Sequence, residues 1–415
     1  MTEEITIGDL TNKTVEALLE LGLATHTVWN SYGSYYLPIV KFHEEQGNTF
    51  FNLESMAEYG QKIEKRFKNG EISKGYYNNL FKAMERVTEV YDTGKLEWSC
   101  QTRISKFKLN DRFETILEGF MSWRLFHHNT KGDFIWVVRK YLAWLQQEGH
   151  DDINTITVKD ISKFIFYCSE HLKAGSLHNI SCYMKQFHQY LEERNLLLIP
   201  YMGVLSIPVM RRTKLLPALS QEELNLILNQ IDKSAGTGKR DYAIILLGAT
   251  TGLRAVDIAN MKLKDIRWRS GEIHVIQQKT GESLSLPLIP KVDDAIKEYI
   301  LCGRPESDSE YLFLRNRAPF QKLNNGDAIG DMFDSYQKKA GIVRTPYDGK
   351  GFHSLRRLLG REMTIAEIPI TTIAQVLGHS KINSTTQYIS LDSQHLKMCA
   401  LDFRGITVER GDLLI

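Results

Sequence analysis

The sequence predicts a mainly α-helical chain, with a small β-sheet or hairpin confined to its last module. Three observations carry this reading. Apolar residues recur at helical spacing through most of the chain. Two prolines bracket a short basic run at Pro208–Pro217 and interrupt the helical pattern. After that break, one stretch alternates apolar and polar residues around a glycine-containing turn.

The first module runs over residues 1–107. Val15, Leu18, Leu19 and Leu21 recur at helical spacing, as do Ile63 and Phe67, and again Tyr76, Leu80, Phe81, Met84 and Val87. The second module, 108–205, is built in the same way. Its helix over 176–193 sets Leu177, Ile180, Met184, Phe187 and Leu191 on one face, with His178 and Lys185 off that face. Glu45-Gln46-Gly47 and Gln147-Glu148-Gly149 each follow an amphipathic helix, at an offset of 102 residues (Gly47 to Gly149). Ser73 and Ser176 each open a helix after a short loop. An internal duplication and two unrelated helical segments fit these facts about equally.

The segment 206–218 reads as an extended basic linker carrying Arg211, Arg212 and Lys214. The third module, 219–392, opens on Ser220-Gln221-Glu222-Glu223, a capping box with Ser220 as N-cap and Glu223 at N3. Ile273-His274-Val275-Ile276 and Leu284-Ser285-Leu286-Pro287-Leu288 flank Lys279-Thr280-Gly281-Glu282 and read as a hairpin. A tail, 393–415, keeps the apolar residues Leu396, Met398, Leu401 and Phe403.

A chain of 415 residues is long enough for two or three domains with real cores. Hydrophobic and charged contents of 42% and 25% are ordinary for a globular protein. A net charge of +2 neither demands nor excludes nucleic acid, because a binder needs a basic face rather than a basic total. The five cysteines are scattered, with no metal-ligand spacing, and read as reduced thiols. The beginning of the chain lacks signal-peptide features, and the apolar run Tyr242–Gly248 is too short to span a bilayer. These points describe a cytoplasmic protein with no membrane partner.

Chemistry concentrates in the third module. Thr251-Gly252-Leu253-Arg254 stands where an apolar helix ends and another begins. An arginine at such a junction needs a partner. Asp257, three residues on, can supply it, a phosphate can supply it, or the carboxylate can orient the guanidinium toward the phosphate. His353 and Arg356 in Gly351-Phe352-His353-Ser354-Leu355-Arg356-Arg357 share a helix face, with Leu355, Leu358, Leu359 and Met363 available to pack behind them. His379 follows Leu377-Gly378, where the glycine suits a helix end. Tyr388, in Thr386-Gln387-Tyr388-Ile389, lies on a short helix that Asn383 or Ser384 can cap. Taken singly, each residue has an ordinary explanation as a surface ion, a helix-end histidine or a core tyrosine. Together, two arginines, two histidines and one tyrosine suit attack of a phenol on a phosphodiester. Guanidiniums clamp charged oxygens with a geometry lysine lacks, and a tyrosine can form a covalent phosphoester. No carboxylate cluster suggests a metal site and no Gly-rich phosphate loop appears, so neither metal nor other cofactor is expected.

The ordered set resembles the catalytic constellation of the tyrosine recombinases, the phage-integrase family, over Leu219 to about Leu401. The resemblance implies Arg254 and Arg356 as a phosphate clamp, His353 and His379 as supporting groups, Lys279 as general acid and Tyr388 as nucleophile. It also implies a helical core-binding domain at 108–205, where Lys185 meets DNA. Arg211, Arg212 and Lys214 of the linker would lie along the DNA backbone. The implied partners are double-stranded DNA with inverted-repeat core sites, further copies of the chain in a synaptic tetramer, and accessory DNA-bending or directionality proteins. The implied setting is a mobile element acting at the nucleoid. The helical first module departs from the small arm-binding domains of some integrases. A type IB topoisomerase-like relaxing enzyme and a catalytically silent DNA-binding protein on the same fold are the other readings.

Overall fold

Side-chain caps fix where several helices begin. The computed structural model describes residues 5–98, 107–126, 128–172, 174–206, 216–279, 281–324, 326–345, 348–379 and 381–389. The chain is mostly helical, with one small antiparallel sheet. It divides into two compact units, residues 1–99 with 215–415, and residues 100–214.

The N-terminal part of the first unit holds α1 (Ile7–Glu20), α2 (Thr25–Val28), α3 (Ser34–Glu45), α4 (Leu53–Lys68) and α5 (Lys74–Thr93). A π-helical turn, Trp29–Gly33, joins α2 to α3. Thr6, Asn52 and Ser73 accept backbone N–H groups at the starts of α1, α4 and α5. The faces these helices bury, including Leu18, Ile39, Ile63, Leu80 and Val87, form one core.

The second unit holds α6 (Asp111–Trp123), α7 (His128–Gln147), α8 (Val158–His171), α9 (Ala174–Glu193) and α10 (Met202–Leu205). Ile180, Met184, Phe187 and Leu191 are buried in its core, as their spacing predicts, while Leu177 is only partly buried. The helix begins at Ala174, so Ser176 lies inside its first turn rather than opening it. Gly47 and Gly149 both adopt positive φ, at 74° and 91°, just after α3 and α7.

The rest of the first unit begins with α11 (Gln221–Asn229), whose Ser220–Glu223 capping box is formed in both directions. Next comes α12 (Gly236–Thr251), buried continuously from Ala243 to Gly248. A helix apolar on every side belongs at the centre, and α12 packs against α14 (Pro290–Cys302), α15 (Asp327–Lys339) and α16 (His353–Ile365). Between α13 (Ala255–Ala259) and α14 lies a sheet of β1 (Ile266–Arg267), β2 (Glu272–Ile276) and β3 (Ser283–Pro287), in that order. Ile273 pairs with Leu286 and Val275 with Leu284. The buried alternation of β2 is what the hairpin pattern predicts, and β1 adds a strand too short to show in sequence. Helices α17 (Ile370–Leu377) and α18 (Thr386–Ile389) follow α16. The module and the N-terminal helices meet at the 316–321 loop. Ala318 packs on the N-terminal core, and Gln321 Nε2 donates to the Glu97 carbonyl at 3.2 Å.

Residues Arg211, Arg212 and Lys214 of the linker, and the tail 393–415, lie outside the described residues.

Candidate active site

Two helix ends and one helix face bring the site together. Gly252 ends α12 in the left-handed conformation, φ 64°, and Gly378 ends α17 in the same way, φ 62°. A Cβ at Gly252 would fall 2.6 Å from Leu377, and one at Gly378 would fall 2.5 Å from the Gln277 amide. Both glycines are therefore required by φ and by close approach. At Gly248, α12 comes so near the Phe352 ring that a Cβ would lie 2.5 Å from it. That contact sets the start of α16, and with it His353.

Arg356 is 2% exposed, a cation almost wholly withdrawn from water. Its Nη1 donates to the Gly252 carbonyl at 2.8 Å and its Nη2 to the Leu377 carbonyl. These oxygens stand at the C-terminal ends of α12 and α17, where helix dipoles favour a cation. The sequence pattern predicts Arg356 at an exposed helix edge. The structure puts it inside instead, because the two helix ends supply the compensation a buried charge requires. A guanidinium has five N–H donors, so donors remain for an anion. Burial lowers the Arg356 pKa, and Arg254 lowers it further.

Arg254 opens α13. Its Nη1 donates to Gln277 Oε1 at 2.8 Å and lies 3.8 Å from Asp257 Oδ2. Asp257 is thus the looser of the two partners, and the amide is the closer. The Asp257 carboxylate instead accepts the Gln278 backbone N–H at 2.8 Å, tying the hairpin turn to α13. Burial holds the Asp257 pKa above the usual carboxylate value. Lys279 sits one residue beyond that tie, exposed in the turn.

His353 keeps an exposed edge at the start of α16. Desolvation by its packed surroundings, then the charges of Arg357, Arg356, Arg254 and His379, lower its pKa to about 4. His379 is lowered to about 4 by burial, then by Arg356 and Arg254. Both imidazoles are therefore neutral at pH 7. His379 Nδ1 hydrogen-bonds Thr385 Oγ1 at 2.7 Å. Its ring stacks on Tyr388 at 6.1 Å between centroids and 8° between planes.

Tyr388 is fully buried with Ile373 and Leu377, and its hydroxyl has no hydrogen bond of good geometry. Burial raises the phenol pKa, while Arg356 first, then Arg357 and Arg254, pull it back. Its ring lies flat on α16 where Gly360 leaves space, since a Cβ there would be 2.8 Å away. Leu359 and Met363 pack around Tyr388, whereas Leu355 and Leu358 face the central core. Among the described residues at α18, the side chains of Asn383 and Ser384 take no cap bond, and their main-chain carbonyls are engaged instead. The carbonyls of Asn383 and Ser384 accept from Thr386 Oγ1 and Gln387 Nε2.

The structure thus gathers Arg254, His353, Arg356, His379 and Tyr388, with Asp257 and the Lys279 turn fastened alongside. Lys185 is half-buried on α9, in the other compact unit. Three further residues have no sequence signal of their own. Gln277 bridges the arginines, Gly360 seats the tyrosine, and Arg357, 3% exposed, donates to the carbonyls of Pro217 and Gly349. Among the described residues, no three His, Cys, Asp or Glu side chains gather as a metal site. No helix among them is long and apolar enough to cross a membrane.

The model of the phage integrase family matches residues 217–395, the segment that carries the whole constellation. A putative integrase/recombinase of Sinorhizobium fredii is 39% identical over 171 residues, which are 41% of this chain and 86% of that protein. Tyrosine recombinase XerA of Pyrococcus furiosus is 31% identical over 202 residues, 48% of this chain and 64% of that protein. In fold, the chain is similar to a lambda integrase (75–356) dimer bound to a COC′ core site. The TM-score is 0.53 at 19% identity, covering 72% of this chain and 99% of that one.

Proposed function

We propose, for a chain that belongs to the phage integrase family and is a tyrosine-type site-specific DNA recombinase, that it cuts and rejoins DNA through a 3′-phosphotyrosine on Tyr388. The observation that carries this is the grouping of a buried phenol with two arginines and two neutral imidazoles. Arg254 and Arg356 hold the non-bridging oxygens of the scissile phosphate and take up the charge that grows there. Tyr388 Oη forms a bond to phosphorus, and the bond from phosphorus to the 5′ oxygen breaks. The phenol proton passes to one of the neutral imidazoles, and Lys279 gives a proton to the leaving oxygen. The phosphotyrosine keeps the energy of the broken ester, so rejoining needs no ATP and the clamp needs no metal.

The second unit acts as the core-binding domain, with Lys185 toward DNA, and the basic run Arg211, Arg212 and Lys214 follows the backbone. Strand exchange runs between paired inverted-repeat core sites in a tetramer, assisted by accessory DNA-bending proteins. Tyr388 is fully buried in the DNA-free chain, so DNA binding has to admit the phosphate beside it.

The test is covalent capture. A library of nicked duplexes with randomised cores is incubated with the protein in EDTA, and protein-linked DNA is recovered and sequenced. One enriched inverted-repeat sequence, esterified at its 3′ end, is expected. A strict need for Mg²⁺ contradicts the arginine clamp. Adducts of no sequence preference, with relaxation of supercoiled plasmid, support a topoisomerase-like enzyme instead. Tight binding without any adduct supports a silent DNA-binding protein.

A further inference from the structure

We infer that Gln277 is a positioning residue for the cleavage reaction, a single amide that holds both clamp arginines in register. It is fully buried in a polar setting. Its two ends do different work. Oε1 accepts from Arg254 Nη1 at 2.8 Å. Nε2 donates to the Leu377 carbonyl at 3.1 Å, the same oxygen that accepts from Arg356 Nη2. One side chain just past the end of β2 therefore reaches the guanidinium of Arg254 directly and that of Arg356 through one shared acceptor. An amide suits the place because it is both donor and acceptor. A carboxylate would lose the donor, and a methyl-ended chain would lose both.

The backbone around Gln277 completes the brace. Its N–H donates to the Glu282 carbonyl at 2.8 Å, and its carbonyl accepts the Gly281 N–H at 2.8 Å, closing the turn that holds Lys279. The next N–H, of Gln278, reaches Asp257. Gly378 must be glycine for the amide to pass, which joins this brace to the chain entering His379. A guanidinium that rotates freely binds a phosphate oxygen less well at the moment charge builds, so fixing its fork lowers the barrier. Gln277 touches no reacting atom and acts through Arg254 and Arg356.

The inference rests on the arginine-clamp reading, and the experiment separates the two. The probe is the duplex recovered by covalent capture, made with its ordinary scissile phosphate and with a neutral methylphosphonate there. Wild type must form the adduct; if it does not, the clamp reading fails before Gln277 is tested. Gln277→Met is expected to bind the duplex as wild type does, and to form adduct about 10–100-fold more slowly on the phosphate. On the neutral methylphosphonate, where little charge needs the clamp, the gap is expected to shrink to about threefold or less. Gln277→Glu, isosteric but without the amide donor, is expected to behave alike, because its charge competes with the phosphate for Arg254. Combined with Arg254→Ala, either substitution should add little further loss. Equal slowing on both substrates would show a structural role through the hairpin alone, and no slowing in either variant would remove Gln277 from the mechanism; both outcomes overturn the inference.

Discussion

At Arg356, 2% exposed, the fold and the chemistry make the same demand on one side chain. Its bonds to the Gly252 and Leu377 carbonyls stabilise the packed helices and aim its remaining donors. Lys279 has the opposite setting, a turn open to water. Replacing it with alanine is expected to slow adduct formation by about 10²–10⁴-fold. Sulfur in place of the 5′ leaving oxygen needs no proton, so that substrate should restore the rate; a variant equally slow on both would transfer the role to His353. Gly360→Ala should be costly for a different reason. A methyl 2.8 Å from the Tyr388 ring must displace it, an overpacking cost of about 1–3 kcal/mol. A lowered thermal midpoint together with slower adduct formation would confirm this, and an unchanged midpoint would refute it. The two histidines set a pH dependence. Their folded pKa values, about 4, lie below the ordinary 6.5. The unfolded chain therefore takes up protons first as pH falls. The stability they contribute is complete above 6.5 and is lost as pH falls toward 4. Thermal midpoints of wild type should fall more steeply over that window than those of His379→Gln; parallel curves would show that His379 is not depressed. The arginines, histidines and tyrosine were legible because each carries its chemistry in its own side chain. Gln277, Gly360 and Arg357 were not, since their roles depend on partners such as Leu377, a hundred residues along the chain.

Among the elements, α12 carries the site without contributing a reacting group. It is central because it is apolar on every side, and its left-handed end at Gly252 delivers both Arg254 and the carbonyl for Arg356. That helix, its end just before Arg254 and the Ser220 capping box could be read directly from sequence, because each is a local preference. So could β2 and β3, whose period-2 pattern persists over five residues each. Strand β1 could not, since two residues carry no period. The start of α9 and the bonding of α18 were misjudged for a shared reason. Serine and asparagine favour caps, but α9 begins at Ala174, before Ser176, and at Asn383 and Ser384 the carbonyls rather than the side chains are engaged. Helix α18 has only four residues, so little internal bonding holds it.

Across the whole molecule, the N-terminal helices are tied to the module that holds the site. Ala318 and Gln321 of the 316–321 loop make that tie. The apolar tail residues Leu396, Met398, Leu401 and Phe403 belong to the same scale. Truncation after Asp392 is expected to leave binding to a single site intact while abolishing synapsis, as read by native gel shift with paired sites. A truncated protein that no longer binds one site would mean that the tail packs within its own chain. The central claim is that Tyr388 becomes covalently bonded to DNA. Its most direct measurement is adduct formation by Tyr388→Phe on the captured nicked duplex, beside wild type. The variant is expected to bind with the same affinity and to leave no protein–DNA adduct after denaturation. An adduct that persists in Tyr388→Phe would contradict the account, because another residue would then be the nucleophile.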